Sequence, residues 1–227
     1  MAAPLQRWGA LEGDIHVSSA RRCLQTLEAV DSVLPGLGVA DRVQLHDDLY
    51  TFEGQALLEW VRRLPEASER VLVIGHNPAL LQLARWLCPE APASLPTGGL
   101  VCLALPAPSW QALARHGAEL TASLTPAEAS HALFKRRAPV APDLRKADPA
   151  SRVHALLCQQ YRLVRVLEPG VIAGVDPEFL HQYRVNLRRS RAIGESLLAI
   201  ARVPGLKKRL MRLKRRVQAT SELRDLH

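Results

Sequence analysis

The stretch RVLVIGHNPALLQLARWL, Arg70–Leu87, decides how the first half of this chain reads. Val71–Gly75 is a continuous apolar run, the pattern of a strand covered on both faces. Ala79–Leu87 then carries apolar residues at helical spacing, with Pro78 at a natural first-turn position. Between them stand Gly75, His76 and Asn77. A histidine at the C-terminal end of a buried strand, just ahead of a helix, lies where open α/β sheets hold their ligands. Gly75 permits close backbone approach, and His76 can donate to an anion or exchange a proton with it.

The same alternation recurs on both sides of this unit. Asp14–Ser19 reads as a strand end, and Ala20–Leu34 as a helix with Cys23, Leu27, Val30 and Leu34 at helical spacing. Gly54–Leu64 repeats the helical pattern through Leu57, Leu58, Val61 and Leu64, and Gly99–Leu105 reads as another strand. Alternating strands and helices predict a layered α/β domain. A second strand-to-helix junction lies at SSARRCLQT, Ser18–Thr26. A helix start offers free N–H groups and a positive dipole end, and arginine adds a planar fork suited to phosphate oxygens. Alone, those arginines read as a solvated helix start. If the two strands are neighbours, Arg22 and His76 converge on one pocket.

Charge divides the chain. Residues 1–150 hold 14 Lys/Arg against 16 Asp/Glu, whereas residues 151–227 hold 16 against 6. Such asymmetry predicts two domains with different partners. The proline-rich, aperiodic segment Arg136–Ser151 reads as the connection, which sets domains at 1–135 and 151–227 with a linker over 136–150. The four cysteines are scattered and form no C-x-x-C pair, so neither a disulfide framework nor a zinc site is expected, and a cytoplasmic location fits best. No leader pattern follows Met1 and no apolar run approaches membrane length. No metal or cofactor is expected.

The second half reads as basic helices. Ser151–Gly170 has an apolar face and is expected to end near Pro169-Gly170. Asp176–Ala201 opens with Asp176 as N-cap and Pro177 behind it. His181, Arg184, Arg188 and Arg191 recur there at intervals of three and four and so share one stripe. Gly205–Leu226 adds Lys208, Arg212 and Arg215 on one side. From His181 to Arg216 there are twelve Lys/Arg and one acid, Glu195. Like charges at helical neighbour positions repel, so an anionic polymer is the expected partner. Few aromatics accompany the stripe, which favours phosphate over bases as the target. Non-specific nucleic-acid binding remains the alternative.

Two family resemblances follow. SSARRCLQT, LYTFEGQALLEWVRRLPEASERVLVIGHNP and LPTGGLVCL, in this order and spacing, resemble the histidine phosphatase superfamily, in particular its phosphohistidine phosphatase branch, over roughly residues 5–130. The resemblance implies hydrolysis of phosphohistidine or a phosphomonoester through a histidine that takes the phosphoryl group. Arg22 matches a phosphate-clamping arginine, His76 the second histidine, and Ser18 the start of the motif. HQYRVNLRRSRA, followed by LKKRLMRLKRRVQATSELRDLH, resembles the CHAD (conserved-histidine α-helical) family, which implies a helical bundle that binds inorganic polyphosphate.

The family's nucleophile belongs to an Arg-His-Gly motif on a strand ahead of the SSARR region, and these residues hold no such strand. Arg115-His116-Gly117 has the right letters but follows helix formers and comes after the second-histidine motif. It is not expected to serve. The expectation is therefore a fragment truncated at both ends: an incomplete histidine-phosphatase-like α/β domain, inactive for want of its nucleophile, followed by an all-α basic bundle carrying about half a CHAD domain. A non-catalytic phosphate or polyphosphate binder is the rival.

Overall fold

The computed structural model describes residues 1–145 and 148–222. The chain forms two compact units, Met1–Pro126 and Ala127–His227. The division falls ahead of the segment that the sequence pattern assigns to the end of the first domain.

The first unit begins with α1 (Ala2–Arg7), β1 (Asp14–Ser18), α2 (Arg21–Val33) and β2 (Val43–His46). It continues through α3 (Gly54–Arg62), β3 (Val71–Ile74) and α4 (Ala79–Leu87) to the strands β4 (Leu100–Ala104) and β5 (Glu119–Leu124). Strands β2, β1 and β3 form a parallel sheet in that order, with His16 opposite Gln44 and Val73. Strand alternation supplies two apolar faces from one short sheet. Ile15, Val17 and Leu72 pack with Cys23, Leu27 and Val30 of α2 on one side. Val71 and Val73 pack on the other with Leu57, Leu58 and Val61 of α3 and Ala79 and Leu87 of α4. Ile15 and Val17 are wholly buried, and each contributes about 1.5–3 kcal/mol by leaving water. The unit is thus helix, sheet and helix in three layers, as the alternation predicts.

Strands β4 and β5 pair antiparallel as a separate two-stranded sheet. A cleft of about 390 Å³ opens between Val71 at the start of β3 and Leu103 and Ala104 of β4. Two strands arise where the sequence pattern is weak. β2 is short and its residues are only half-buried or exposed. β5 alternates threonine and serine with small or apolar residues.

The second unit contains α5 (Pro126–Ala129, beginning at the division), α6 (His131–Lys135), α7 (Pro149–Ala173), α8 (Pro177–Ile200) and α9 (Leu206–Glu222). The expected continuation of α9 through Leu226 lies outside the described residues from 223 onward. Asp148 caps α7 by accepting from the N–H groups of Ala150 and Ser151 at 3.0 and 3.1 Å. Asp176 does more than the expected capping of α8. One carboxylate oxygen accepts from the Glu178 N–H at 2.9 Å and the other from the His131 N–H at 2.7 Å, which ties α6 to the head of α8. Phe179 is buried at the centre, with Phe134, Val164, Leu167, Tyr183 and Leu187 around it. Phe134 and His131 of α6 therefore join this core.

Helix α7 does not stop at Pro169-Gly170. It runs through Pro169 to Ala173 and ends at Gly174, whose φ of 61° is left-handed. Gly170 answers to packing instead: a Cβ there would lie 2.3 Å from the Phe179 ring. Gly194 does the same for α9, since a Cβ there would meet Leu210 at 2.5 Å.

Candidate functional site

The parallel register puts the ends of β1 and β3 side by side, and with them Ser18 and His76. Ser18 and His16, two apart on β1, face the α3–α4 side. Trp60 of α3 meets the His16 ring edge-on at 5.1 Å. Helix α2 starts at Arg21 behind Ala20, which offers no side-chain cap. Its second residue, Arg22, reaches back over the strand end to His76.

The guanidinium of Arg22 donates to His76 Nδ1 from Nη2 at 2.7 Å and from Nε at 3.1 Å. A guanidinium can only donate, so Nδ1 is the acceptor and the ring proton sits on Nε2. That Nε2–H then donates to Ser18 Oγ at 2.8 Å. The Cys23 sulfur lies 3.8 Å from Nε2 and 3.9 Å from Nδ1. Burial pushes the Cys23 thiol upward, so it stays protonated as a packing partner. Burial and then the Arg22 charge hold the His76 imidazole below its ordinary value, so a neutral ring is favoured. Among the described residues no carboxylate pairs with Arg22. A guanidinium pinned to a neutral ring and free of acidic partners can take an anion.

The three residues singled out in the sequence thus meet at one point. Ser18 is fully buried and reaches a ligand only through His76. Arg22 is exposed, and His76 lies beneath it at 4% exposure. Arg115-His116-Gly117 is elsewhere. The His116 N–H donates to Trp86 O at 2.9 Å, at the far end of α4 from His76. A nine-residue helix spans roughly 13 Å.

Four further residues belong to this edge. Tyr50 and Phe52 follow β2 in a loop, and their rings stand 5.0 and 5.3 Å from the His76 ring. The Arg22 guanidinium carbon sits 5.3 Å from the Tyr50 ring centroid and 5.8 Å from that of Phe52. His46 closes the row on β2, and its Nε2 shares a 2.9 Å hydrogen bond with His16 Nδ1. Among the described residues the buried His16 Nε2 has no hydrogen-bond partner. Burial first, and the neighbouring His46 second, lower the His16 pKa, while Asp14 opposes them. Loop aromatics and a strand histidine in mixed surroundings carry no periodic signal in a single sequence. Among the described residues no three His, Cys, Asp or Glu side chains form a group able to hold a metal.

In the second unit the predicted stripe behaves unevenly. His181 and Arg188 are exposed. Arg191 pairs with Glu195 at 2.6 Å, an i,i+4 pair on α8. Arg184 donates to the carbonyl of Thr220 at 3.0 Å, near the C-terminus of α9. That bond ties α8 to α9, so part of the Arg184 donor capacity serves the fold. Leu210, Leu213 and Val217 of α9 pack inward. At about 100° per residue, Lys208, Arg212 and Arg215 then project roughly opposite that seam, and all three are exposed. The seven residues are basic and mostly accessible, but the α9 set faces away from α8. The helical pattern of this unit is matched by a known family. Residues 155–227 match the CHAD domain model. The CHAD segment thus begins inside α7 and takes in all the described residues of α8 and α9.

The first unit has its own likeness among solved structures. A protein described as a phosphohistidine phosphatase SixA, from Nakamurella multipartitia, aligns at 25% identity over 55% of this chain and 80% of its own, with a TM-score of 0.42. No curated protein matches the sequence. Among the described residues no helix is long and apolar enough to cross a membrane.

Proposed function

We propose that the first unit binds a phosphoryl anion at Arg22 and His76 and that the CHAD segment binds inorganic polyphosphate, so that one chain carries two sites for phosphorylated anions. The observation that carries the first half is the Arg22 guanidinium, exposed, without a carboxylate partner among the described residues, and held on His76 at the C-terminal edge of a parallel sheet. Ser18 acts as a positioning residue that fixes the His76 tautomer. The chemistry to which such a site is suited is hydrolysis of phosphohistidine or a phosphomonoester.

The route through a phosphoenzyme, which the resemblance implies, also needs a side chain to receive the phosphoryl. Both His76 nitrogens are engaged, and Arg115-His116-Gly117 stands at the other end of α4. The 227-residue chain is therefore expected to hydrolyse p-nitrophenyl phosphate no faster than its His76→Ala variant, while still binding inorganic phosphate. Turnover well above that variant, with a trapped phosphoenzyme, overturns this reading.

Polyphosphate binding at the helices is supported by the exposed His181, by the exposed cations Arg188, Lys208, Arg212 and Arg215, and by the match to the CHAD domain model. Binding a polyanion releases condensed counterions, so affinity falls steeply with salt. Arg188→Ala is expected to weaken polyphosphate binding and flatten its salt dependence without unfolding the unit, because the side chain is exposed. Arg184→Ala also removes the bond to Thr220, so its effect mixes stability with binding. Arg63→Ala, in the other unit, serves as the control. If Arg188→Ala and Lys208→Ala each leave both affinity and salt slope unchanged, the basic face is only solvated. Competition by duplex DNA at equal phosphate concentration separates a polyphosphate site from non-specific nucleic-acid binding.

A further inference from the structure

Tyr50 and Phe52 are large, flat and about half exposed, at 55% and 49%. Apolar rings left to water at a strand edge cost stability. Their surroundings give them a common direction. The two rings meet edge-to-face at 5.9 Å, and both stand within about 5 Å of His76 and 6 Å of the Arg22 charge. The loop that carries them is pinned at both ends. The Tyr50 N–H donates to Asp47 O at 2.8 Å, and the Glu53 N–H to Thr51 Oγ at 3.2 Å. The Gly54 N–H donates to Gln82 Oε1 at 2.7 Å, and a Cβ at Gly54 would lie 2.5 Å from Gln82. Helix α3 therefore sits close on α4 and fixes the loop beside the site. The rings are preorganised, which removes an ordering cost from any ligand that uses them.

We propose that Tyr50 and Phe52 form a stacking wall that selects phosphoryl groups borne on a planar aromatic ring over those borne on an aliphatic chain. This rests on the phosphoryl-site reading of Arg22 and His76. With the phosphoryl oxygens on the guanidinium, the first atoms beyond phosphorus pass alongside the two rings. A flat ring there gains offset or edge contacts with both, whereas an alkyl group covers little of either face. The same two rings also flank Arg22, so a wall that served only to steady the guanidinium would help every phosphoryl ligand equally.

The test is calorimetric titration of the whole chain with inorganic phosphate, ethylphosphonate and phenylphosphonate, at a pH where both phosphonates are dianions. The intact protein is expected to bind phenylphosphonate about tenfold more tightly than ethylphosphonate. In the double variant Tyr50→Ala/Phe52→Ala that preference falls to within about twofold, and in Tyr50→Phe it is retained. If inorganic phosphate binds but the two phosphonates bind alike, the stacking wall fails and the phosphoryl site stands. If the double variant weakens both phosphonates together and keeps their ratio, the rings only hold Arg22 and the proposal is overturned. If inorganic phosphate itself does not bind, the phosphoryl site fails and the selectivity falls with it.

Discussion

Phe179→Ala is expected to destabilise the second unit by about 3–5 kcal/mol. The side chain is 1% exposed and sits where α6, α7 and α8 meet. Phe134 and His131 lie against it with ring centroids 5.4 and 5.3 Å away. Gly170 of α7 closes the opposite side so tightly that the backbone fixes the ring's position. Backbone that close cannot collapse into the space a phenyl ring leaves, so the cavity term adds to the lost transfer energy. A domain of this size is typically held by only about 5–15 kcal/mol, so the variant loses much of its margin. Gly170→Ala tests the same contact from the other side. Alanine raises helix propensity by about 1 kcal/mol over glycine. The clash with Phe179 costs about 1–3 kcal/mol, so the net change should still be destabilising. All four tryptophans, at 8, 60, 86 and 110, belong to the first unit. Urea unfolding followed by helical circular dichroism, to which α7, α8 and α9 contribute most of the helix, should therefore shift to lower denaturant, and tryptophan emission reports the first unit separately. A Phe179→Ala variant with an unmoved helical transition sinks this account of the core.

Much of this architecture is legible in the residues, and what is not has physical reasons. Val71–Ile74 announces itself because both sheet faces are covered and every position must be apolar. Val43–His46 does not, because a short outer strand with exposed residues needs no such run. Pro169-Gly170 reads as a helix end by local rules. It is a packing choice, since the Phe179 ring requires a glycine and α7 tolerates the proline before it. The meeting of Arg22 with His76 could be inferred because each stands at a strand-to-helix junction. Tyr50 and Phe52 could not, since a loop residue has no period and only the placement of α3 on α4 brings the pair to the site. Arg184 carries a second role that spacing does not announce. Spacing groups it with Arg188 and Arg191, and its guanidinium also donates to the Thr220 carbonyl of α9.

Arg22→Ala carries the largest effect expected at the phosphoryl site. It removes both guanidinium donors to His76 Nδ1 and, with them, the positive charge that they carry. Truncating a hydrogen-bonded partner of an anion costs about 2–5 kcal/mol when the contact is buried. This one is partly exposed, so the low end applies, about 2 kcal/mol or roughly thirtyfold in phosphate affinity. Arg22→Lys keeps the charge but lacks the planar fork and should fall between. The same substitution changes the response to acid. In the folded protein His76 is held below its unfolded value of about 6.5. The unfolded chain therefore takes up protons first as pH falls below about 6.5, and folded stability drops through that window. His16 acts with the same sign, through burial and His46. In Arg22→Ala one cause of the His76 depression is gone and burial remains, so the acid loss should be shallower but not absent. Tryptophan-monitored urea midpoints between pH 7.5 and 5.5 read it directly. A variant that binds phosphate as well as the parent chain removes Arg22 from the site, and an unchanged pH slope leaves burial as the cause of the His76 depression.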